Sequence, residues 1–414
     1  MQLLFWQGVS HVLSLIIICC ILVKSYTRNL FELMKTRKPK PIANPLSESD
    51  LKRQCLLSEE YYITHEGFKH QSHFITTNDG FVLKLIRISK LSTGVKDYKS
   101  KGVVLLVHGL FQSSGVFISC GAQSLPFQLV EAGYDVWLCN NRCCDKLRVL
   151  HNPGDKECWD WSLDELAKYD FPSLVEYVSN QTGGGKISYI GHSQGTAQAF
   201  LGLSLDPKIA DKLNCLVALA PAAYLGPLIK QGTLRNIMNC PPKVFQIIFG
   251  TLCFIPLMNF VQAVFPPSVF TAFAYHVFNY LFHWTDTNWD PANKNVFFRF
   301  TPRPTSSKAL LHWTQMAQRG HIGVFDASLE RDPTRMIASR FDISAVRCPL
   351  ACFYGRKDTI IDGDRFVREC RNRNLNLVHG ECIDGYEHMD VIWAADAPTL
   401  VFKKIVDILG AIHS

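Results

Sequence analysis

Two long stretches of this chain carry no charged side chain. Residues 1–23 hold no Asp, Glu, Lys or Arg, and neither do residues 244–285, in which twelve of the 42 positions are Phe, Tyr or Trp. There is no internal repeat, which excludes solenoids and propellers. There is no Cys-x-x-Cys pair or His/Cys cluster, which removes the usual structural zinc sites. The fifteen cysteines are odd in number, scattered, and include the adjacent Cys143-Cys144, so they make no regular disulfide framework. They read as small core hydrophobes in a reducing compartment. The balance of +7 comes without an arginine-rich or aromatic-basic pattern, and a nucleic-acid partner is not expected.

The excess cations have a local meaning. Lys24, Arg28, Lys35, Arg37, Lys38 and Lys40 follow the uncharged N-terminus with only Glu32 opposing them. As a helix, residues 1–23 extend about 34 Å, enough to cross a ~30 Å hydrocarbon core. A cleaved secretory signal is the rival, since Val23-Lys24-Ser25 crudely resembles a cleavage site. The segment lacks a basic leading region, however, and the cations lie on its far side. The expectation is an uncleaved membrane anchor with the following domain on the cytoplasmic side, at the endoplasmic reticulum or a lipid droplet. A secreted or lumenal protein is the alternative. The lone sequon Asn180-Gln181-Thr182 is inert on the cytoplasmic side.

The most informative residues are Gly191-His192-Ser193-Gln194-Gly195. They follow an apolar strand (residues 186–190) and open a small-residue helix (residues 196–200). Strand, G-x-S-x-G, helix is the nucleophile elbow of an α/β-hydrolase. The glycines let Ser193 occupy a sharp, strained turn that lifts its hydroxyl above the sheet edge. The bland alternative is a glycine turn carrying a solvated serine, and the strand-to-helix context argues against it.

A serine nucleophile needs an acid and then a histidine downstream. Asp358 follows an apolar strand (residues 349–354), and His388 follows the next strand segment. Both loops belong at the carboxyl edge of a parallel sheet, on the side of Ser193. Asp362 and Asp364 lie deeper in the following helix, Asp384 is too near His388 in sequence, and His379 falls within a strand. For the oxyanion hole, the fold supplies the N–H of the residue after the nucleophile, Gln194, and one from the loop after the third strand, Leu110. That loop follows the apolar run at residues 102–107.

Further segments carry a resemblance: 73–83 (HFITTNDGFVL), the Leu110 loop, 133–138 (GYDVWL), Asn140-Asn141-Arg142, 160–170 (DWSLDELAKYD) and 386–390 (YEHMD). In this order, over roughly residues 60 to 410, the chain resembles the acid-lipase family of α/β-hydrolases. That family contains gastric and lysosomal lipases and the membrane-anchored sterol ester hydrolases of yeasts. Residues 278–282 (FNYLF) and 284–286 (WTD) fit the fungal side best. Cys143-Cys144 departs from the family, where a glycine is usual. The resemblance implies a lipid ester substrate, sterol esters or triacylglycerols, with no cofactor and no metal.

The expected architecture is a mostly parallel, doubly wound α/β-hydrolase sheet with a helical cap insertion and an N-terminal membrane anchor. Its parts are the anchor (1–23), a basic and Pro-containing linker (24–60), the first part of the core (61–221), an apolar cap or lid (222–320) and the second part of the core (321–414). Twelve aromatics carry about 1,800 Å² of apolar area at ~150 Å² each, while a monomer exposes patches of only ~300–600 Å². Part of the cap must therefore cover the site or meet a membrane or droplet surface, and Phe270 stands as an expected lipid-facing position. Pro256, Pro266 and Pro267 argue against a second simple spanning helix. The catalytic expectation is Ser193 as nucleophile, His388 as base, Asp358 as its orienting acid, and Leu110 and Gln194 as oxyanion donors. An acyltransferase, in which an alcohol replaces water, fits the same residues. A catalytically idle lipid-binding tether would need none of them. Oligomeric state is not indicated.

Overall fold

The apolar runs with no polar alternation behave as strands covered on both faces. The computed structural model describes residues 2–33, 58–90, 100–144, 155–254, 258–330 and 341–413. Among these residues ten strands form: β1 (Phe68–Thr76), β2 (Val82–Lys90), β3 (Val103–Val107), β4 (Asp135–Cys139), β5 (Ile187–His192), β6 (Leu213–Leu219), β7 (Cys253–Phe254), β8 (Thr305–Ser306), β9 (Leu350–Gly355) and β10 (Leu377–Ile383). Eight of them make one sheet in the order β1-β2-β4-β3-β5-β6-β9-β10, and β7 pairs with β8 separately. β1 and β2 pair antiparallel, as do β2 and β4, and the remaining pairs are parallel. This is the α/β-hydrolase fold. Every residue of β4, β5 and β9 is buried, whereas most residues of the edge strands β1 and β10 are exposed or half-buried. The parallel order brings the carboxyl ends of β3, β5, β9 and β10 to one edge.

Arg142 ties three parts of this frame together. Its side chain, fully buried, contacts Asp170 (2.6 Å) and Asp79 at the β1–β2 hairpin (2.7 Å), and its guanidinium lies 4.0 Å over the Phe81 ring. The following Cys143-Cys144 is buried, with Cys143 at φ +63°.

Between β6 and β9 the chain leaves the sheet and returns through a narrow neck, where Tyr224 bridges His321. The excursion contains the helices Gly232–Met238, Pro242–Phe249, Met258–Val264, Pro267–Phe282 and Ser307–Arg319. Phe270 is only 2% exposed and belongs to the main core, which overturns the expectation that it faces lipid. The neighbouring Val269 (49% exposed) and Phe265 (48%) are turned outward instead. In a uniformly apolar segment the sequence offers no contrast from which to tell the two faces of a helix.

The first helix runs Gln2–Leu33, through the expected boundary at residue 23. Of the expected linker, residues 34–57 lie outside the described residues. The helix lies against the cap rather than apart from the domain: Ser10 and Ser14 donate hydrogen bonds to the carbonyls of Ile247 and Ile248, and Ser25 to that of His276.

Removing Arg142 while leaving Asp170 buried should destabilise the fold strongly, because an uncompensated buried charge typically costs about 3–5 kcal/mol. Urea unfolding of Arg142→Met is expected to show a loss of that size. Asp79→Asn, at a partly exposed partner, should cost clearly less.

Candidate active site

Ser193 sits at φ 51°, ψ −115°, between the end of β5 and the helix Gln194–Leu205. Two close approaches require glycine around it. A Cβ on Gly191 would lie 2.8 Å from the Gly195 carbonyl carbon, and one on Gly195 would lie 2.3 Å from the Val107 oxygen. The elbow is pinned to the neighbouring strand by the Ser193 N–H, which donates to the Leu219 carbonyl at 2.9 Å.

The loops after β9 and β10 bring Asp358 and His388 to this serine. His388 Nε2 is 2.8 Å from Ser193 Oγ, and His388 Nδ1 is 2.7 Å from Asp358 Oδ2. A carboxylate only accepts, so Nδ1 carries the proton and Nε2 faces the hydroxyl as acceptor. The other Asp358 oxygen accepts the N–H groups of Ile360 (2.9 Å) and Ile361 (3.3 Å), which fixes the carboxylate plane. The other acidic candidates are occupied elsewhere. Asp362 caps the helix Gly363–Asn372, Asp364 accepts from Tyr354, and Asp384 pairs with Arg356 at the surface. His379 pairs with Glu381 on β10.

Leu110 follows Gly109 at the end of β3, and Gln194 opens the elbow helix. Among the described residues neither main-chain N–H has an intramolecular acceptor. The Leu110 loop is held from the returning end of the cap. Phe111, at φ 60°, has its carbonyl bound by the Arg303 N–H (2.7 Å) and the Thr301 hydroxyl (2.9 Å), and the Ser113 N–H donates to Phe300. The Gln194 side-chain oxygen accepts from Trp313 Nε1 at 2.8 Å.

Several of these supporting groups have no separable sequence signal. Trp284 stacks over the His388 ring at 6.3 Å and 14°. Glu387 accepts the N–H and hydroxyl of Thr285, and Asp390 accepts from Asn288 and Trp289. Residues 284–286 and 386–390 are therefore two halves of one clamp between cap and histidine loop. Gln112 Oε1 accepts the Gly109 N–H (2.7 Å) and lies 3.1 Å from His192 Nδ1. A cavity of about 190 Å³ opens over Ser193, lined by Leu110, Phe111, Phe245, Phe278 and Trp313 among others, nearly all apolar.

Three buried histidines are held neutral here and in the cap. Burial lowers His108 to about 4; its Nε2 accepts the Asn141 N–H, so Nδ1 carries the proton. Burial lowers His312 to about 3, and burial with the adjacent His388 lowers His192 well below its usual value. Below about pH 6.5 the unfolded chain binds protons at these positions and the folded chain does not. Stability therefore falls as the pH is lowered below that value, by up to about 1.4 kcal/mol per pH unit for each ring, until the folded values are reached. Urea midpoints measured in detergent from pH 7 to pH 5 should decline accordingly, and His312→Gln should flatten the slope by about one proton.

Residues 60–121 match the family described as partial α/β-hydrolase lipase region, and residues 102–239 match the α/β-hydrolase fold. Sterol esterase 2 of Saccharomyces cerevisiae is 32% identical over 383 residues, covering 84% of this chain and 71% of that protein. Gastric triacylglycerol lipase of Homo sapiens is 30% identical over 360 residues, covering 84% of this chain and 89% of that protein. A soluble variant of Saccharomyces cerevisiae monoglyceride lipase superposes with a TM-score of 0.48 at 16% identity, over 83% of this chain and 95% of that one. With 30% identity sustained over most of both chains, this protein belongs to the acid-lipase family of α/β-hydrolases.

Proposed function

We infer that the chain is a serine ester hydrolase that cleaves long-chain hydrophobic esters, sterol esters and triacylglycerols, at a membrane or lipid-droplet surface. The observation that carries this is the 2.8 Å contact between His388 Nε2 and Ser193 Oγ at the floor of an apolar cavity. His388 takes the Ser193 proton as the oxygen attacks the ester carbonyl, and Asp358 holds the imidazole and balances its charge. The N–H groups of Leu110 and Gln194 receive the developing oxyanion, each such donor being worth about 3 kcal/mol. His388 then protonates the departing alcohol, and water hydrolyses the acyl-enzyme by the reverse path. An apolar cavity favours a long hydrocarbon and gives no water-like stabilisation to a small polar substrate.

The apolar window Gly8–Thr27 supports membrane attachment by length and composition. The cations after it support a catalytic domain on the cytoplasmic side. Nine of the fourteen described cysteines are buried, and burial raises the thiols of Cys139, Cys215 and Cys352, in keeping with inert core residues.

A fluorophosphonate probe should label the wild type and not Ser193→Ala. Turnover of cholesteryl oleate or trioleoylglycerol should fall roughly 10⁴–10⁶-fold in Ser193→Ala and His388→Ala, whereas His379→Ala should retain most of it. Labelling that survives Ser193→Ala would refute the assignment.

The outward-facing cap residues make a second expectation. Phe265→Asp and Val269→Asp should weaken binding to emulsified ester, since a carboxylate in hydrocarbon costs several kcal/mol. Hydrolysis of a short soluble ester should persist. Phe270→Asp, at a core position, should lower the unfolding midpoint and impair both substrates.

A further inference from the structure

The N-terminal helix packs with its polarity reversed. Its buried positions include Ser10, Ser14 and Ser25, while Val12 (60% exposed), Ile16 (54%), Val23 (64%) and Tyr26 (62%) point away from the protein. Only 24% of the Gly8–Thr27 window is buried. Such a helix suits a lipid surrounding, where close packing of small residues and hydroxyl bonds hold helices together and the outer face is solvated by hydrocarbon.

The serines have defined tasks. The cap helix Pro242–Phe249 leaves its last carbonyls without helical partners, as every helix does. The Gly250 N–H takes the carbonyl of Gln246 (2.9 Å), Ser10 takes Ile247 (2.7 Å), Ser14 takes Ile248 (2.8 Å), and Ser307 takes Phe249 (3.1 Å). Two of these four groups are thus satisfied by the N-terminal helix. Ser25 fastens its other end to the long cap helix through His276 (2.9 Å).

Between these fasteners, on the same face, Ile17, Ile18 and Ile21 line the cavity that contains Ser193. Ile17 also packs with the cluster of Phe245, Phe249, Leu310 and Leu311. A helix that served only to tether the enzyme would need no register with the cap and no residue in the cavity.

We propose that the N-terminal helix is a wall of the substrate site, with Ile17, Ile18 and Ile21 contacting the hydrocarbon portion of the ester and setting the chain length it accepts. This rests on the ester-hydrolase reading above, and the experiment separates the two. The readout is the ratio of kcat/KM for an oleoyl ester to that for a butyryl ester of the same alcohol, in detergent-solubilised full-length protein. Ile18→Trp and Ile21→Trp narrow the cavity and should lower that ratio at least tenfold. Replacing residues 8–27 by an unrelated serine-free apolar helix should keep the protein in the membrane fraction and lower the ratio likewise. The outward-facing Val12→Ala and Ile16→Ala should leave the ratio unchanged. Wild-type ratios in both tryptophan variants would overturn the proposal, even if the helix replacement fails to fold. A wild type that neither labels with fluorophosphonate nor turns over either ester would instead defeat the hydrolase reading.

Discussion

The site depends on one close approach, that of the elbow helix to the end of β3. Gly195 lies so near the Val107 and His108 carbonyls that no side chain fits. That contact fixes three things together. It sets Ser193 in its strained turn, places the Gln194 N–H at the head of the helix, and positions Gly109 and Leu110 beside the serine. A Cβ on Gly109 would itself fall 3.1 Å from the Ser193 Cβ. Ser193 and the N–H groups of Leu110 and Gln194 are therefore one rigid piece of backbone, and only His388 and Asp358 arrive from elsewhere.

Those two arrive on loops, which need fastening. Asp358 is locked by the amides of Ile360 and Ile361. The histidine loop is fastened from the cap, through Glu387 to Thr285 and through Asp390 to Asn288 and Trp289. The cap thus braces both the histidine loop and the Leu110 loop. It roofs His388 with Trp284 and holds the Phe111 carbonyl through Thr301 and Arg303.

Backbone-driven features were legible in the sequence. The elbow glycines, the apolar parallel strands and the order of serine, acid and histidine are local patterns, and the hydrolase fold follows from them. The proximity of Ser193, Asp358 and His388 could be read because each ends a strand of the same sheet. What escaped was pairing between distant segments of similar composition. Ser10, Ser14 and Ser25 read as neutral interruptions in an apolar run, because their partners are main-chain carbonyls more than 230 residues away. Phe270 and Val269 are equally apolar, so hydropathy alone could not say which is buried. Glu387 and Asp390 were visible as part of a motif, but their task depends on Thr285, Asn288 and Trp289.

These attachments bear on how substrate reaches the serine. A rigid swing of the cap about its neck would have to break the Glu387, Asp390, Phe300, Thr301 and Arg303 bonds together with those of Ser10 and Ser14. At roughly 0.5–1.5 kcal/mol net for each bond, that is a large cost, and it would release the Leu110 loop beside Ser193. Among the described residues, displacement along the seam between the N-terminal helix and the cap disturbs the serine hydroxyl bonds, the Tyr26–His276 ring contact and apolar contacts, and leaves the histidine and Leu110 loops in place. In hydrocarbon, apolar surface parted at such a seam is re-covered by lipid with little penalty, whereas in water the same surface would drive it shut. With the N-terminal helix placed in lipid, as proposed above, access to the serine is coupled to lipid without a hinged lid.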